Sequence, residues 1–350
     1  MIRFLPEWHP QDAILLTWPH RESAWQLTLN QVENTYIDLV AVISHHQACL
    51  VQLHPSVDIT VLARKLADAG TNLSRCYFVA CESNDTWARD HGPISIQTGE
   101  TSQLLNFQFN GWGNKFEHAL DNQLNQYMSD QGVFTVPMES STWVLEGGSL
   151  EVDEFGTLLT TEQCLLNKNR NPQANKANIE SYLKESLGVK RVLWLSEGEL
   201  DGDDTDAHID TLARFGPNNQ IIFQGCQDET DVHFTSLNAM HQQLASFRNE
   251  QGEPYHLIEL PFPKAIYAED GHRLPATYAN FLITNDLVIV PSYADSADIL
   301  AVEKVQLAFP SHRVVSIDAR PLIEEHGSIH CISMQLTQHT VNFDYPFVRA

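Results

Sequence analysis

Positive charge is scarce in this 350-residue chain: 21 Lys and Arg stand against 45 Asp and Glu, a formal charge of −24. Nucleic acid and anionic membranes both need a basic face, so neither fits as a partner, whereas a small cation does. No C-x-x-C pair occurs, and the six cysteines (Cys49, Cys76, Cys81, Cys164, Cys226, Cys331) are scattered. That excludes a zinc ribbon or a disulfide scaffold and reads as reduced thiols. No hydrophobic run approaches a membrane span, and Met1 to Pro10 carries prolines and charges where a signal peptide needs an unbroken apolar region. The expectation is a soluble, cytoplasmic protein. No linker or low-complexity tract divides the chain, which predicts one domain over residues 1–350, and 43% hydrophobic residues supply its core.

What is present is a repeated grammar. After a strand at Ala13 to Trp18, a helix over Ser23 to His45 with Trp25, Leu27, Val32, Tyr36, Leu39, Val40 and Ile43 on one face, a strand at Cys49 to Leu53 and a helix at Val61 to Ala69, a polar loop (Asn84 to Pro93) enters Ile94-Ser95-Ile96 and returns as Leu104 to Phe107. The same order recurs three times. Val144 to Gly148 precedes Ser149 to Val152 and Thr157 to Thr160. Asp204 to Asp210 precedes Leu212 to Phe215 and Gln220 to Phe223. Arg273 to Tyr278 precedes Asn280 to Ile283 and Leu287 to Val290. Cys331 opens a fifth unit. Helices are predicted between them, at about Asp121 to Ser129, Asn175 to Leu187, Ser236 to Arg248 and Asp298 to Ala308. Asp90, Glu146, His208, Tyr278 and Cys331 recur at intervals of roughly 50 to 70 residues, as a unit built five times around an axis or in a line would require. Each unit would present its leading residue to a shared centre.

Those residues carry chemistry. Cys331, entered through Gly327-Ser328 and followed by an alternating run, is a candidate nucleophile at a strand start; the alternative is a small buried hydrophobe. Asp90 precedes Gly92-Pro93 and could cap a turn. Glu146 ends an apolar run, where a carboxylate is costly to bury unpaired. His208 and Asp210, spaced i, i+2, would share one face of an extended strand. A metal is not expected: the stretch from Asp201 has glycine second and Leu212 twelfth, unlike a calcium loop, and no H-E-x-x-H occurs. Carboxylates, one histidine and one thiol in an acidic protein suit a guanidinium. It is planar and permanently charged, its donors fork toward two carboxylates, and its resonance-stabilised carbon calls for a thiolate. The nearby carboxylates should raise the thiol pKa until the cation is bound.

The segments Asn84 to Pro93, Phe109 to Gly113, Leu145 to Ser149, Leu158 to Thr161, Cys164 to Leu166, Asn169 to Pro172, His208 to Asp210, Pro275 to Tyr278 and Ile329 to Cys331 resemble the agmatine deiminases, in the family that also holds bacterial-type peptidyl-arginine deiminases within the guanidine-modifying superfamily. The resemblance implies an α/β fold, a five-bladed α/β propeller (the pentein fold) with pseudo-fivefold symmetry, no metal, no organic cofactor, and a homodimer or higher assembly. It implies hydrolysis of agmatine to N-carbamoylputrescine and ammonia through a covalent amidino-cysteine. Cys331 resembles the nucleophile and His208 the general acid and base. Asp90 and Asp210 resemble the guanidinium clamp, Glu146 the carboxylate that orients the histidine and holds substrate, and Trp87 and Trp112 the walls of the mouth. Gly327 lies in a loop where many of these enzymes have three glycines and an asparagine and this chain has Glu325-His326-Gly327-Ser328, a departure that bears on the substrate tail. Arginine or peptidyl-arginine deimination and guanidine binding without turnover are the alternatives.

Overall fold

A computed structural model describes residues 2–348. Its strands form five small mixed sheets. Four of the sheets share one pattern: an antiparallel pair followed, after a helix or loop, by a third strand parallel to the second. The pattern holds for Ile94–Thr98, Thr101–Gln108 and Met138–Val144; for Glu151–Val152, Thr157–Thr161 and Arg191–Leu195; for Ala213–Gly216, Gln220–Gln224 and His256–Leu260; and for Leu282–Ile283, Leu287–Ser292 and Arg313–Asp318. Ile2–Phe4 adds an antiparallel edge to the first. The fifth sheet joins the ends of the chain, because Ser333–Thr337 pairs antiparallel with Gln11–Thr17, which continues in parallel into Ala48–Leu53 and Cys76–Ala80.

Local chemistry explains the elements. Ala48–Leu53 is buried at every residue, as a parallel strand covered on both faces must be. The turn after Ala213–Gly216 uses Asn218 and Asn219 at φ 62° and 60°, the left-handed region that asparagine tolerates. The helix Lys176–Leu187 starts with a capping box between Asn175 and Asn178 and stops at Gly188 in the left-handed conformation. Apolar side chains from the sheets and helices gather in three buried clusters.

The structure corrects several expectations. The helix placed over Ser23 to His45 is a short 3-10 turn, Ala24–Leu27, followed by the α-helix Leu29–Ser44, and Leu27 is 93% exposed instead of facing the sheet. His208 and Asp210 do not share a strand: His208 caps a one-turn helix, Ile209–Leu212, that contains Asp210. The parallel third strands and Cys76–Ala80 had no counterpart in the sequence reading. Met138–Val144, half polar and partly exposed, shows why: an edge strand has one neighbour to satisfy and no alternation to enforce.

Candidate active site

Short segments that lead into the first strands of the sheets meet at one pocket. The one-turn helix Ala88–His91 carries Asp90; the 3-10 turn Gly147–Ser149 follows Glu146; Ile209–Leu212 carries Asp210 behind His208; and Cys331 lies two residues before Ser333–Thr337. The pocket has a cavity volume of about 50 Å³ and is lined by Trp87, Asp90, Trp112, Gly327 and Cys331 together with Asp85, Asp204, Glu325 and His326, while Glu146, His208 and Asp210 are not among its lining residues.

Gly148 shows how tightly the carboxylates and imidazole converge. A Cβ there would lie 2.5 Å from His208 Nδ1, 2.8 Å from Asp90 Oδ1 and 3.2 Å from Asp210 Oδ2, so only glycine lets the backbone approach. The Gly148 N–H donates to Asp90 Oδ1 at 3.0 Å, and the Trp112 indole N–H donates to Asp90 Oδ2 at 2.9 Å. Trp112 reaches it from a left-handed backbone (φ 53°) between Gly111 and Gly113, a conformation that costs energy and that tertiary contacts hold. Gly327 passes so close to Trp87 that a Cβ would sit 1.9 Å from the ring.

The electrostatics divide the carboxylates. Burial pushes the Asp90 pKa up, and Asp210 and Glu146 add to that against the His208 charge and the Trp112 bond. For Asp210 burial also pushes upward, but the His330 bond and charge, with His208 and Arg214, hold it below the usual carboxylate value. Burial depresses the His208 imidazole, yet Asp90 above all, with Cys164 and Glu146, keeps it well above the ordinary histidine value. Burial, then Asp210 and Asp90, raise the Cys331 thiol. His208 Nδ1 lies 3.6 Å from Asp90 Oδ1. Among the described residues, neither ring nitrogen of His208, nor Asp210 Oδ1, has a hydrogen-bond partner. Three buried polar atoms are thus left unpaired beside Asp90, an arrangement that calls for a polar ligand.

Several contributing residues went unassigned in the sequence. Glu146, expected to orient His208, has both carboxylate oxygens on Arg170 Nε at 2.8 and 2.9 Å; Arg170 in turn donates to Asp206 (2.7 Å) and to the Thr205 carbonyl (2.8 Å). Tyr278, the expected leading residue of its unit, does not line the pocket: its hydroxyl donates to Asp298. Asn280, two residues on, is the residue of this unit that reaches Cys331, since its Oδ1 accepts from the Cys331 thiol (3.3 Å) and from the backbone N–H groups of His330 and Cys331 (3.0 and 3.2 Å). Arg170 was visible as a cation in an Asn-Arg-Asn-Pro motif; Asn280 gave no signal beyond being polar at a strand start. Among the described residues, Glu146, Cys164 and His208 place ligand-type atoms within 4.8 Å of one another. Both Glu146 oxygens are already committed to a guanidinium, which disfavours a cation there.

The Porphyromonas-type peptidyl-arginine deiminase family profile matches residues 3–337. A Shewanella sp. (strain MR-4) protein provisionally named agmatine deiminase is 33% identical, over 94% of this chain and 92% of its own length. Among solved structures, a Porphyromonas gingivalis protein provisionally named arginine deiminase is 43% identical with TM-score 0.91, covering 98% of this chain and 100% of its own. A substrate-bound cysteine-to-serine variant of the C. jejuni agmatine deiminase is 36% identical with TM-score 0.89, covering 98% of each.

Proposed function

The chain belongs to the Porphyromonas-type peptidyl-arginine deiminase family, and from that premise we propose that it is an agmatine deiminase, converting agmatine and water to N-carbamoylputrescine and ammonia. The observation that carries agmatine over its relatives is the pocket lining. Asp85, Asp204 and Glu325 belong to it, beside His326, and no described Lys or Arg does. Carboxylates suit the free amine of agmatine; the α-carboxylate of arginine would need a cation. Arg89, adjacent to Asp90 in sequence, is buried on the other side, where it donates to the His330 carbonyl and to Gln335. Lys115 is engaged by Asp206 and the Asp204 carbonyl.

In this reading Asp90 and Asp210 hold the guanidinium edge-on, and its charge stabilises the Cys331 thiolate. Sulfur adds to the central carbon, His208 protonates the departing nitrogen, and ammonia leaves an amidino-cysteine. His208 then takes a proton from water as the oxygen adds to that carbon; collapse breaks the C–S bond, returns the proton to sulfur and releases the carbamoyl product. Trp87, Trp112 and Gly327 shape the approach, and Glu146, locked by Arg170, sets the charge beside His208. The five-sheet pattern supports a five-bladed α/β propeller with pseudo-fivefold symmetry formed by residues 1–350 as one unit. A homodimer or larger assembly in the cytoplasm belongs to the same reading: no described helix is long and apolar enough to cross a membrane, and Ile299 and Leu307 are exposed on one helix.

Ammonia release from agmatine, free arginine and a peptidyl-arginine substrate, measured side by side, tests the proposal. Agmatine should give the highest kcat/KM. A higher value for either arginine substrate would overturn the assignment, and release from none would point to binding without turnover.

A further inference from the structure

His330 makes two contacts that a neutral imidazole cannot satisfy. Its Nδ1 lies 2.7 Å from Asp210 Oδ2 and its Nε2 lies 2.7 Å from Glu7 Oε2. An ionised carboxylate only accepts, and a neutral imidazole has one N–H and one lone pair, so one of the two contacts would set lone pair against lone pair. Glu7 accepts at both oxygens from other donors, Arg214 Nη2 and the Ile283 N–H, which fixes it as a carboxylate and leaves His330 Nε2 to donate to it; Asp210, against its burial, is held below the usual carboxylate value.

The surrounding charges agree. Glu7 Oε2 also accepts from Arg214 Nη2 (2.5 Å) and faces Arg89 Nη2 at 3.9 Å, its Oε1 accepts from the Ile283 N–H (2.6 Å), and Arg214 Nε donates to Glu151 Oε2 (2.7 Å). The side chains of this group are at most 5% exposed. Glu7, Glu151 and Asp210 supply three negative charges, Arg89 and Arg214 two positive ones. His208 and Asp90 adjoin Asp210 on the Gly148 side as one further cation and one further anion, so a proton on His330 is what balances Glu7, Glu151 and Asp210 against Arg89 and Arg214.

The geometry points to His330 as a doubly protonated positioning residue that holds Asp210 by one oxygen and leaves the other for the substrate guanidinium. It does not touch the substrate. Asp210 Oδ2 is bound by His330 while Oδ1 is buried with no hydrogen-bond partner among the described residues, which leaves Oδ1 as the oxygen free to accept from a guanidinium. The same backbone segment sets the nucleophile, since the N–H groups of His330 and Cys331 share Asn280 Oδ1. Glu7 thereby links the N-terminal segment to the clamp.

This inference rests on the deiminase reading, and the test separates the two. In the full-length wild-type protein labelled with 15N-histidine, the His330 signal at pH 8 should show both ring nitrogens protonated. It is assigned by its loss in His330→Gln, or by its perturbation in Glu7→Gln should the first variant not fold. A signature with a single protonated nitrogen would overturn the inference whatever the activity. His330→Gln should lower agmatine kcat/KM at least about 100-fold, mainly through KM, as loss of a charged hydrogen-bond partner at the clamp implies. In an Asp90→Asn background, where Asp210 is the clamp carboxylate left to set the acid limb of kcat/KM, adding His330→Gln should move that limb to higher pH, because Asp210 loses the first of the groups that lower it. Glu7→Gln/His330→Gln removes one charge of each sign and should restore thermal stability toward wild type without restoring KM. A His330→Gln enzyme within threefold of wild type, or an Asp90→Asn/His330→Gln enzyme whose acid limb coincides with that of Asp90→Asn, would defeat the positioning role. A wild-type protein inactive on every guanidinium substrate would defeat the functional reading instead.

Discussion

Cys331 rests as a thiol whose proton is directed at Asn280, with burial, Asp210 and Asp90 all opposing ionisation. Without substrate its alkylation by iodoacetamide should therefore be slow at pH 7 and should accelerate only above the ordinary thiol value; fast alkylation at pH 7 would show that the thiolate forms unaided. Cys331→Ser should release no measurable ammonia, since general acid–base help of about 10²- to 10⁴-fold does not replace a covalent route. Asp90→Asn and Asp210→Asn should each lower kcat/KM by about 10- to 100-fold, an amide offering neither the charge nor two acceptors. The two differ in pH behaviour. Asp90 has a raised pKa, so its ionised form is lost as pH falls through a value above the usual carboxylate range. The wild-type acid limb should lie there, and Asp90→Asn should move it down to the lower value of Asp210. The residue types of this site were legible because a thiol, a histidine and carboxylates in an acidic chain narrow the ligand to a cation. Their partners were not. Arg170 and His330 act through distance, and nothing in sequence spacing reports that Glu7 and Asp210 meet at one imidazole.

The short segments ahead of the first strands of the sheets carry the site, and glycine lets them approach one another. Gly327→Ala would drive a methyl group into Trp87, which lines the pocket together with Gly327. The expected outcome is a rise in agmatine KM of about tenfold or more with the fold retained, read from steady-state kinetics beside a thermal melt. Unchanged KM would mean that the Trp87 wall does not contact the substrate. Hairpins were readable from alternation and turn residues, and Asp298–Ala308 was read to the residue from its composition. The one-turn helix behind His208 was not, because four residues give no periodicity, and an i, i+2 pair looks the same on a strand as on a tight turn. What brings His208 and Asp210 together is their common approach to Gly148.

Across the molecule, Glu7, Glu151, Arg214, Arg89 and His330 bond one another from segments tied to different sheets, so the buried ion cluster also holds the sheets together. Glu7 and Asp210 have depressed folded-state pKa values, so their contribution to stability is present above the unfolded carboxylate value of about 4 and is lost as pH falls toward their folded values. Thermal midpoints should accordingly drop on acidification below about pH 4, and less steeply in Glu7→Gln. An equal slope would show that the cluster does not govern acid stability. The pairing of Ser333–Thr337 with Gln11–Thr17 has a temporal consequence. During synthesis the acids and the imidazole emerge long before the sulfur, and the sulfur arrives almost attached to the strand that fastens tail to head. A polypeptide that stops short of Ser333–Thr337 therefore leaves Gln11–Thr17 without its antiparallel neighbour, and the proposed nucleophile is fixed in position only once that strand has joined the fifth sheet.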